Sequence, residues 1–188
     1  MTRQTQQRRS DAGFAVVQTL IVIAIVGLVA ALGIPAFASQ AKKSALRQNA
    51  ENLALQVKGY LALDLSPAYV AAGDQTTSGG GQGTVSTALT GALRNGTAGR
   101  FVNPFSGSRV IVCESAPPAS ASRARPAVWI TDDAHYAYAA FRPSEATKSQ
   151  LAGTLVVVFV ADAGVSTVEV FYVDAAGGRG PVAAALAL

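Results

Sequence analysis

The sequence predicts an α+β protein in which a long amino-terminal helix packs on a carboxy-terminal antiparallel sheet. Three features of the sequence support this fold class. Residues 14–41 form a run of 28 residues without a charged side chain. An amphipathic helical pattern then continues to Asp64, and a two-residue alternation typical of strands begins at Arg109. We therefore expect a helix whose first half spans a membrane and whose second half supports a globular head.

The charges lie mainly at the amino-terminal end of the chain. Half of the 188 residues are hydrophobic and 14% are charged, which indicates that part of the chain meets lipid. The formal net charge is +4, but eight basic and eight acidic residues cancel from Leu65 onward. Because this sum gives the head no excess of positive charge, nucleic acid is not expected as the main partner.

Residues 1–13 are polar and carry Arg3, Arg8 and Arg9. These arginines favour keeping this end in the cytoplasm. The apolar segment that follows, residues 14–40, is longer than the ~20 helical residues that a bilayer core requires. Three interpretations compete for it: a signal peptide cut after Ala38 in the small-residue motif Ala36-Phe37-Ala38, a plain membrane anchor, or a prepilin leader with its filament helix.

The residues around Gly13 favour the third interpretation. Residues 8–64 resemble the amino terminus of type IV pilins and of type II secretion pseudopilins. The matching motifs are Gly13-Phe14, Thr19-Leu20-Ile21, Gly27 and Ile34-Pro35-Ala36-Phe37. The resemblance implies that a prepilin peptidase removes residues 1–13 by cutting between Gly13 and Phe14, and that Phe14 is then N-methylated. It also implies a single-pass precursor in the cytoplasmic membrane, which an assembly platform converts into an extracellular or cell-envelope filament of many copies.

Gln18 departs from the family pattern, which usually has glutamate at this position. In the family that carboxylate is thought to pair with the charged amino terminus of a neighbouring subunit. Glutamine can accept a hydrogen bond from the amine but cannot neutralise it, and it costs less to hold in lipid. Whether the chain is a major or a minor subunit stays open, as does a purely local hydrogen-bonding role for Gln18.

Residues 41–65, which we call the stem, continue the helix. Apolar residues recur there at steps of three or four and predict one buried face: Leu46, Ala50, Leu53, Val57, Tyr60 and Leu61. Pro67 predicts the end of the helix. Gly33 and Pro35 weaken packing and remove a backbone hydrogen bond, so a kink is expected near them.

Residues 66–108 are glycine-rich and are expected to form a variable loop region. Residues 109–188 are expected to form the antiparallel sheet of the head, with strands at 109–113, 127–130, 136–141, 154–161 and 167–173. The last two strands form a hairpin. One face of its second strand (Val168, Val170, Tyr172) is expected to lie on Leu53, Val57 and Tyr60 of the stem.

No residue pattern indicates catalysis, and no cofactor or metal site is expected. Cys113 is the only cysteine, so an intramolecular disulfide is excluded. His135 and Asp133 lack further ligands at metal-binding spacing. Calcium binding through Asp132 or Asp133 is an open alternative, since some pseudopilins bind calcium in this general region.

The resemblance favours a non-enzymatic structural subunit of a type IV pilus or related filament. Within the same family, a pseudopilin of a type II secretion or DNA-uptake machine is the alternative. From another class, the rival is a secreted binding domain released by signal peptidase after Ala38. The mature amino terminus separates the two classes, because it would be Phe14 in one and Ser39 in the other.

Overall fold

The computed structural model describes residues 3–64, 84–95, 101–118, 125–162 and 165–187. In chain order the elements are α1 (Arg3–Asp64), α2 (Thr84–Asn95), β1 (Ile111–Cys113), β2 (Val128–Thr131), a 3-10 helix (Ala134–Tyr136), α3 (Glu145–Leu151), β3 (Leu155–Asp162), β4 (Val165–Val173) and β5 (Arg179–Ala187). The chain divides into two compact units, Met1–Ala41 and Lys42–Leu188. The predicted α+β class, a long amino-terminal helix packed on a sheet, is confirmed.

In the second unit the stem covers one face of the sheet. Leu46, Leu53 and Val57 are at most 1% exposed and belong to one core with alternate residues of the strands. Val168 and Val170 belong to this core, and Tyr60 and Tyr172 pack at its margin. The predicted contact between the hairpin and the stem is therefore confirmed, because the apolar spacings of helix and strand each define a single buried face.

The sheet has the strand order β1-β2-β3-β4-β5 and is mixed. β3, β4 and β5 are antiparallel, and Leu155 pairs with Tyr172 in the predicted hairpin. β1, β2 and β3 are parallel to one another, which differs from the antiparallel arrangement expected throughout. A parallel pair needs a long crossover, and the connection between β2 and β3 is one that carries the 3-10 helix and α3.

That crossover covers the second face of the sheet, where a strand at 136–141 was expected. This prediction is wrong: residues 134–136 form a 3-10 helix and turns follow. The Asp133 side chain accepts a hydrogen bond from the His135 N–H, and the Glu169 carboxylate accepts one from the Tyr138 N–H at 2.6 Å. The aromatic residues alternate because they pack edge-on against Trp129 and Phe171, not because they belong to a strand.

Part of the predicted loop region 66–108 is helical. α2 occupies residues 84–95 beside β1, and Leu89 and Leu93, one helical turn apart, are buried in the core that the stem also lines. Tertiary burial of these two leucines outweighs the weak helix propensity of the neighbouring Thr, Ser and Gly residues. Residues 101–108 form turns and irregular backbone, as expected, and residues 66–83 and 96–100 lie outside the described residues.

The carboxy-terminal strand β5 was not predicted. Its sequence, Arg-Gly-Pro-Val-Ala-Ala-Ala-Leu-Ala, is rich in residues that strands disfavour. Gly180 lies so close to the Tyr172 ring that an added Cβ would come within 2.2 Å of it. The pairing with β4 therefore depends on close approach to an existing strand, which local sequence does not reveal.

Candidate functional site

The apolar segment of α1 exposes its side chains in every direction. Within its own unit, the large hydrophobic residues between Phe14 and Phe37 are 53 to 74% exposed. By length and composition, this helix can cross a membrane. A helix that is apolar all round needs an apolar environment on all sides, which lipid or other apolar helices supply.

The predicted processing residues lie early in this helix. Gly13 and Phe14 both belong to α1, and the Phe14 side chain is 72% exposed. Gln18, four residues further on, is also exposed and lies on the same side of the helix as Phe14. The Thr19 hydroxyl beside it donates to the Ala15 carbonyl at 2.9 Å, so its polar group is satisfied within the helix. Phe14 and Gln18 are thus brought together at one surface.

Gly33 and Pro35 lie within α1, which continues through both residues as an unbroken helix. A Cβ at Gly33 would meet the Phe37 ring at 3.8 Å, an ordinary contact distance. Pro35 has no N–H to donate to the carbonyl four residues earlier. The kink expected here stays a prediction.

The head shows no assembled catalytic or metal-binding group in the part of the chain that is described. His135 lies at the surface with Nδ1 at 3.2 Å from Asp133 Oδ1. No cluster of three or more His, Cys, Asp or Glu side chains is present among the described residues. Burial raises the pKa of the Tyr136 hydroxyl, and the negative charge of Asp133 adds to the effect. This tyrosine packs edge-on against Trp129 at 4.9 Å between ring centroids, which is a structural contact.

Asn103, which begins an Asn-Pro turn, holds several segments of the head together. The Asn103 side chain is 1% exposed, and its amide donates to the carbonyl oxygens of Arg125, Pro126 and Ala152. Its Oδ1 accepts from the N–H groups of Phe105 and Ser106. The Asn103-Pro104 dipeptide indicates a turn. Its distant partners cannot be read from the local sequence, because they lie 22 to 49 residues away.

Comparisons of the chain with protein-family models, with curated proteins and with solved structures gave no match.

Proposed function

We propose that this chain is the precursor of a pilin-like filament subunit that is anchored in the cytoplasmic membrane before assembly. The observation that supports this most is the contrast within α1. Its residues 14–37 are bare and apolar on all sides, whereas Leu46, Leu53 and Val57 are buried in the head. One helix is thus built for an apolar environment in its first half and for a globular partner in its second half.

The exposed apolar half of α1 meets two apolar environments in succession. In the precursor, lipid covers its apolar surface, because exposure of so much apolar area to water is unfavourable. When the subunit leaves the membrane, the same surface is covered by the corresponding helices of other copies. Dispersion contacts and exclusion of water then hold the filament together.

The amino-terminal residues supply the processing step. A prepilin peptidase cuts between Gly13 and Phe14, and Phe14 receives a methyl group on its new amino terminus. Gly13 suits the cut, because glycine lowers helix stability by about 1 kcal/mol relative to alanine and makes local unwinding into a protease site easier. Arg3, Arg8 and Arg9 keep this end on the cytoplasmic side.

Processing is tested by substituting Gly13 in a host with and without a prepilin peptidase. We expect the wild-type chain to shift to a smaller form only in the presence of the peptidase, and Gly13→Ala to stay full length. Gly27→Ala is the matched control, because a Cβ at Gly27 meets nothing within 4 Å. This control should be processed like the wild type.

Wild-type protein of unchanged size in both hosts would overturn the proposal. A peptidase-independent product that lacks the apolar segment would instead support a secreted domain cut after Ala38. A product processed at Gly13 that enters a short envelope filament would point to the pseudopilin role within the same family.

A further inference from the structure

A basic and aromatic surface lies on the head next to the point where the apolar segment ends. Lys42 directly follows Ala41, and its Nζ lies 5.7 Å from the centroid of the Phe105 ring, over the ring face. The loop that carries Phe105 also contacts the stem through Asn49 Nδ2, at 3.5 Å from the Val102 carbonyl oxygen. The first residue of the second unit therefore lies against this loop.

Asn103 fixes the loop to other basic segments of the head. Through its amide the loop is bound to residues 125–126 and to Ala152, and the Ser106 hydroxyl donates to the Arg125 carbonyl at 2.9 Å. The segments that meet here are residues 42–50, 101–110, 125–131 and 152–155. They contain five basic residues and no acidic one. Arg47 pairs with Glu51, so the surface that we call the basic end is defined by Lys42, Lys43, Phe105, Arg109 and Arg125.

The parallel strands place opposite charges at opposite edges of the sheet. β1, β2 and β3 run in one direction, so their first residues share an edge. Arg109 precedes β1 and Arg125 precedes β2, whereas Glu114 follows β1 and Asp132 and Asp133 follow β2.

Two carboxylates near the edge at which β1, β2 and β3 begin already have partners within the head. Asp174 accepts hydrogen bonds from the Ala176 and Gly178 N–H groups, each at 2.8 Å. Glu145 lies 2.6 Å from the Lys148 Nζ. Neither carboxylate belongs to the basic end itself, which keeps its positive character.

We propose that the basic end binds the anionic phospholipid headgroups of the membrane from which the chain emerges. This inference rests on the membrane-anchored precursor of the proposed function. If the apolar segment spans the bilayer, covalent continuity puts Lys42 close to the lipid–water interface, and the rest of the basic end, with the Phe105 ring that Lys42 contacts, then lies within reach of the headgroups. Phenylalanine is among the apolar side chains that enter the boundary between headgroups and acyl chains, and arginine and lysine bind lipid phosphates. Each lysine or arginine near an anionic membrane surface strengthens binding to that surface about fivefold.

The experiment places tryptophan reporters in the full-length chain, reconstituted in liposomes whose acyl chains carry bromine as a quencher. Phe105→Trp and Val110→Trp report on the basic end; Val110 is 41% exposed and leaves Phe105 intact. Leu55→Trp is the control on the stem, 13 residues or about 20 Å of helix beyond Lys42. Val29→Trp reports insertion of the apolar segment. The unsubstituted chain, with its buried Trp129, gives the baseline.

In bilayers that contain phosphatidylglycerol, we expect both reporters at the basic end to lose most of the emission that they add to that of Trp129. In pure phosphatidylcholine they should lose little of it. Leu55→Trp should lose little in either bilayer. In the reporter chains, Arg109→Gln should lower headgroup association about fivefold, whereas Arg142→Gln, at an exposed arginine outside the basic end, should leave it unchanged. Raising the salt to about 1 M should act like Arg109→Gln, because the Debye length falls to about 3 Å.

Quenching of Val29→Trp without quenching of either basic-end reporter would overturn this inference and leave the proposed function standing. An unquenched Val29→Trp would instead count against membrane anchoring itself. Equal quenching in neutral and anionic bilayers would also overturn the inference, since headgroup charge would have no part. The inference would also be overturned if the emission of the basic-end reporters changed with the protein-to-lipid ratio but not with lipid charge. A second copy of the chain would then occupy the surface.

Discussion

At the scale of single residues, Gln18 is the position at which we expect a substitution to change assembly of the proposed filament. It lies one helical turn after Phe14, on the exposed surface that would meet the amino terminus of another copy. In the low-dielectric interior of a filament, a carboxylate there would attract that amine more strongly than an amide does, although desolvation offsets part of the gain.

We therefore predict that Gln18→Glu increases the amount of assembled filament, measured in sheared cell-surface fractions against total protein. Gln18→Ala, which can neither accept a hydrogen bond nor carry charge, should lower it. Equal yields from the wild type and Gln18→Glu would show that Gln18 acts through hydrogen bonding alone.

Substitution of Asn103 should lower the free energy of unfolding of the head strongly, although the side chain is small. Its side chain is 1% exposed, its amide donates to three carbonyl oxygens, and its Oδ1 accepts from two N–H groups. Gly153 next to it has φ +80°, and an added Cβ would lie 2.3 Å from Asn103 Oδ1, so the site has no room for rearrangement.

We predict that Asn103→Asp lowers the free energy of unfolding by about 3 kcal/mol, because a carboxylate cannot donate to the carbonyl oxygens it would face. The measurement is urea unfolding of the full chain in detergent, followed by Trp129 emission. Asn49→Ala, which removes a single 3.5 Å contact, is the control and should cost less than about 1 kcal/mol. Equal losses for the two variants would contradict the role assigned to Asn103.

Tyr136 gives the head a pH dependence on the alkaline side. Burial and the Asp133 charge raise the pKa of its hydroxyl above the ordinary value of 10.0. The folded state therefore holds this proton more tightly than the unfolded state does. Its contribution to stability is full below pH 10.0 and is lost as the pH rises through the folded pKa.

We predict that Tyr136→Phe loses less stability than the wild type between neutral pH and strongly alkaline pH, measured as the urea midpoint at each pH. Asp133→Asn, which keeps an acceptor for the His135 N–H but removes the charge, should make the alkaline loss smaller than in the wild type, because it brings the folded pKa of Tyr136 closer to 10.0. Parallel pH profiles for the wild type and Tyr136→Phe would contradict this assignment.

At the scale of elements, the stem is an amphipathic helix whose two sides differ sharply. Leu53 is fully buried between the stem and the sheet, whereas Leu55, two residues later, is 68% exposed. We predict that Leu53→Ala costs about 2–5 kcal/mol of unfolding free energy, since it leaves a cavity in the core. Leu55→Ala should change it by at most about 0.5 kcal/mol. Similar effects in Trp129-monitored unfolding would contradict the packing described.

Elements whose apolar residues recur at a regular spacing could be predicted from the sequence. Elements that form only through contacts with distant parts of the chain could not. Leu46 to Val57 and Val168 to Tyr172 each have one spacing and one buried face, so the stem and the hairpin were correctly predicted. α2 and β5 have weak intrinsic propensity and depend on tertiary contacts, at Leu89 and Leu93 in one and beside Tyr172 in the other. The 136–141 segment shows a further source of error, because alternating aromatics in a covering loop imitate a strand.

At the scale of the whole molecule, charge distribution was the property that the sequence concealed most. The basic and acidic residues from Leu65 onward sum to zero, which suggests a head without polarity. Parallel pairing of β1 and β2 separates Arg109 and Arg125, which precede these strands, from Glu114, Asp132 and Asp133, which follow them. Strand direction is a long-range property, so neither the net charge nor the local pattern could reveal the basic end.

The candidate processing residues, in contrast, come from local motifs alone. Gly13, Phe14, Gln18 and Pro35 were identified by their spacing in the resemblance to type IV pilins, and the structure adds that Phe14 and Gln18 share an exposed helical surface. Whether a peptidase acts there is a chemical question about one peptide bond.

The amino terminus of the mature protein, determined by intact mass and by terminal peptide sequencing, tests the central proposal most directly. We predict a chain that begins at Phe14, lacks residues 1–13 and carries one added methyl group on its terminal nitrogen. A mature chain that begins at Ser39, without the apolar segment, would contradict it.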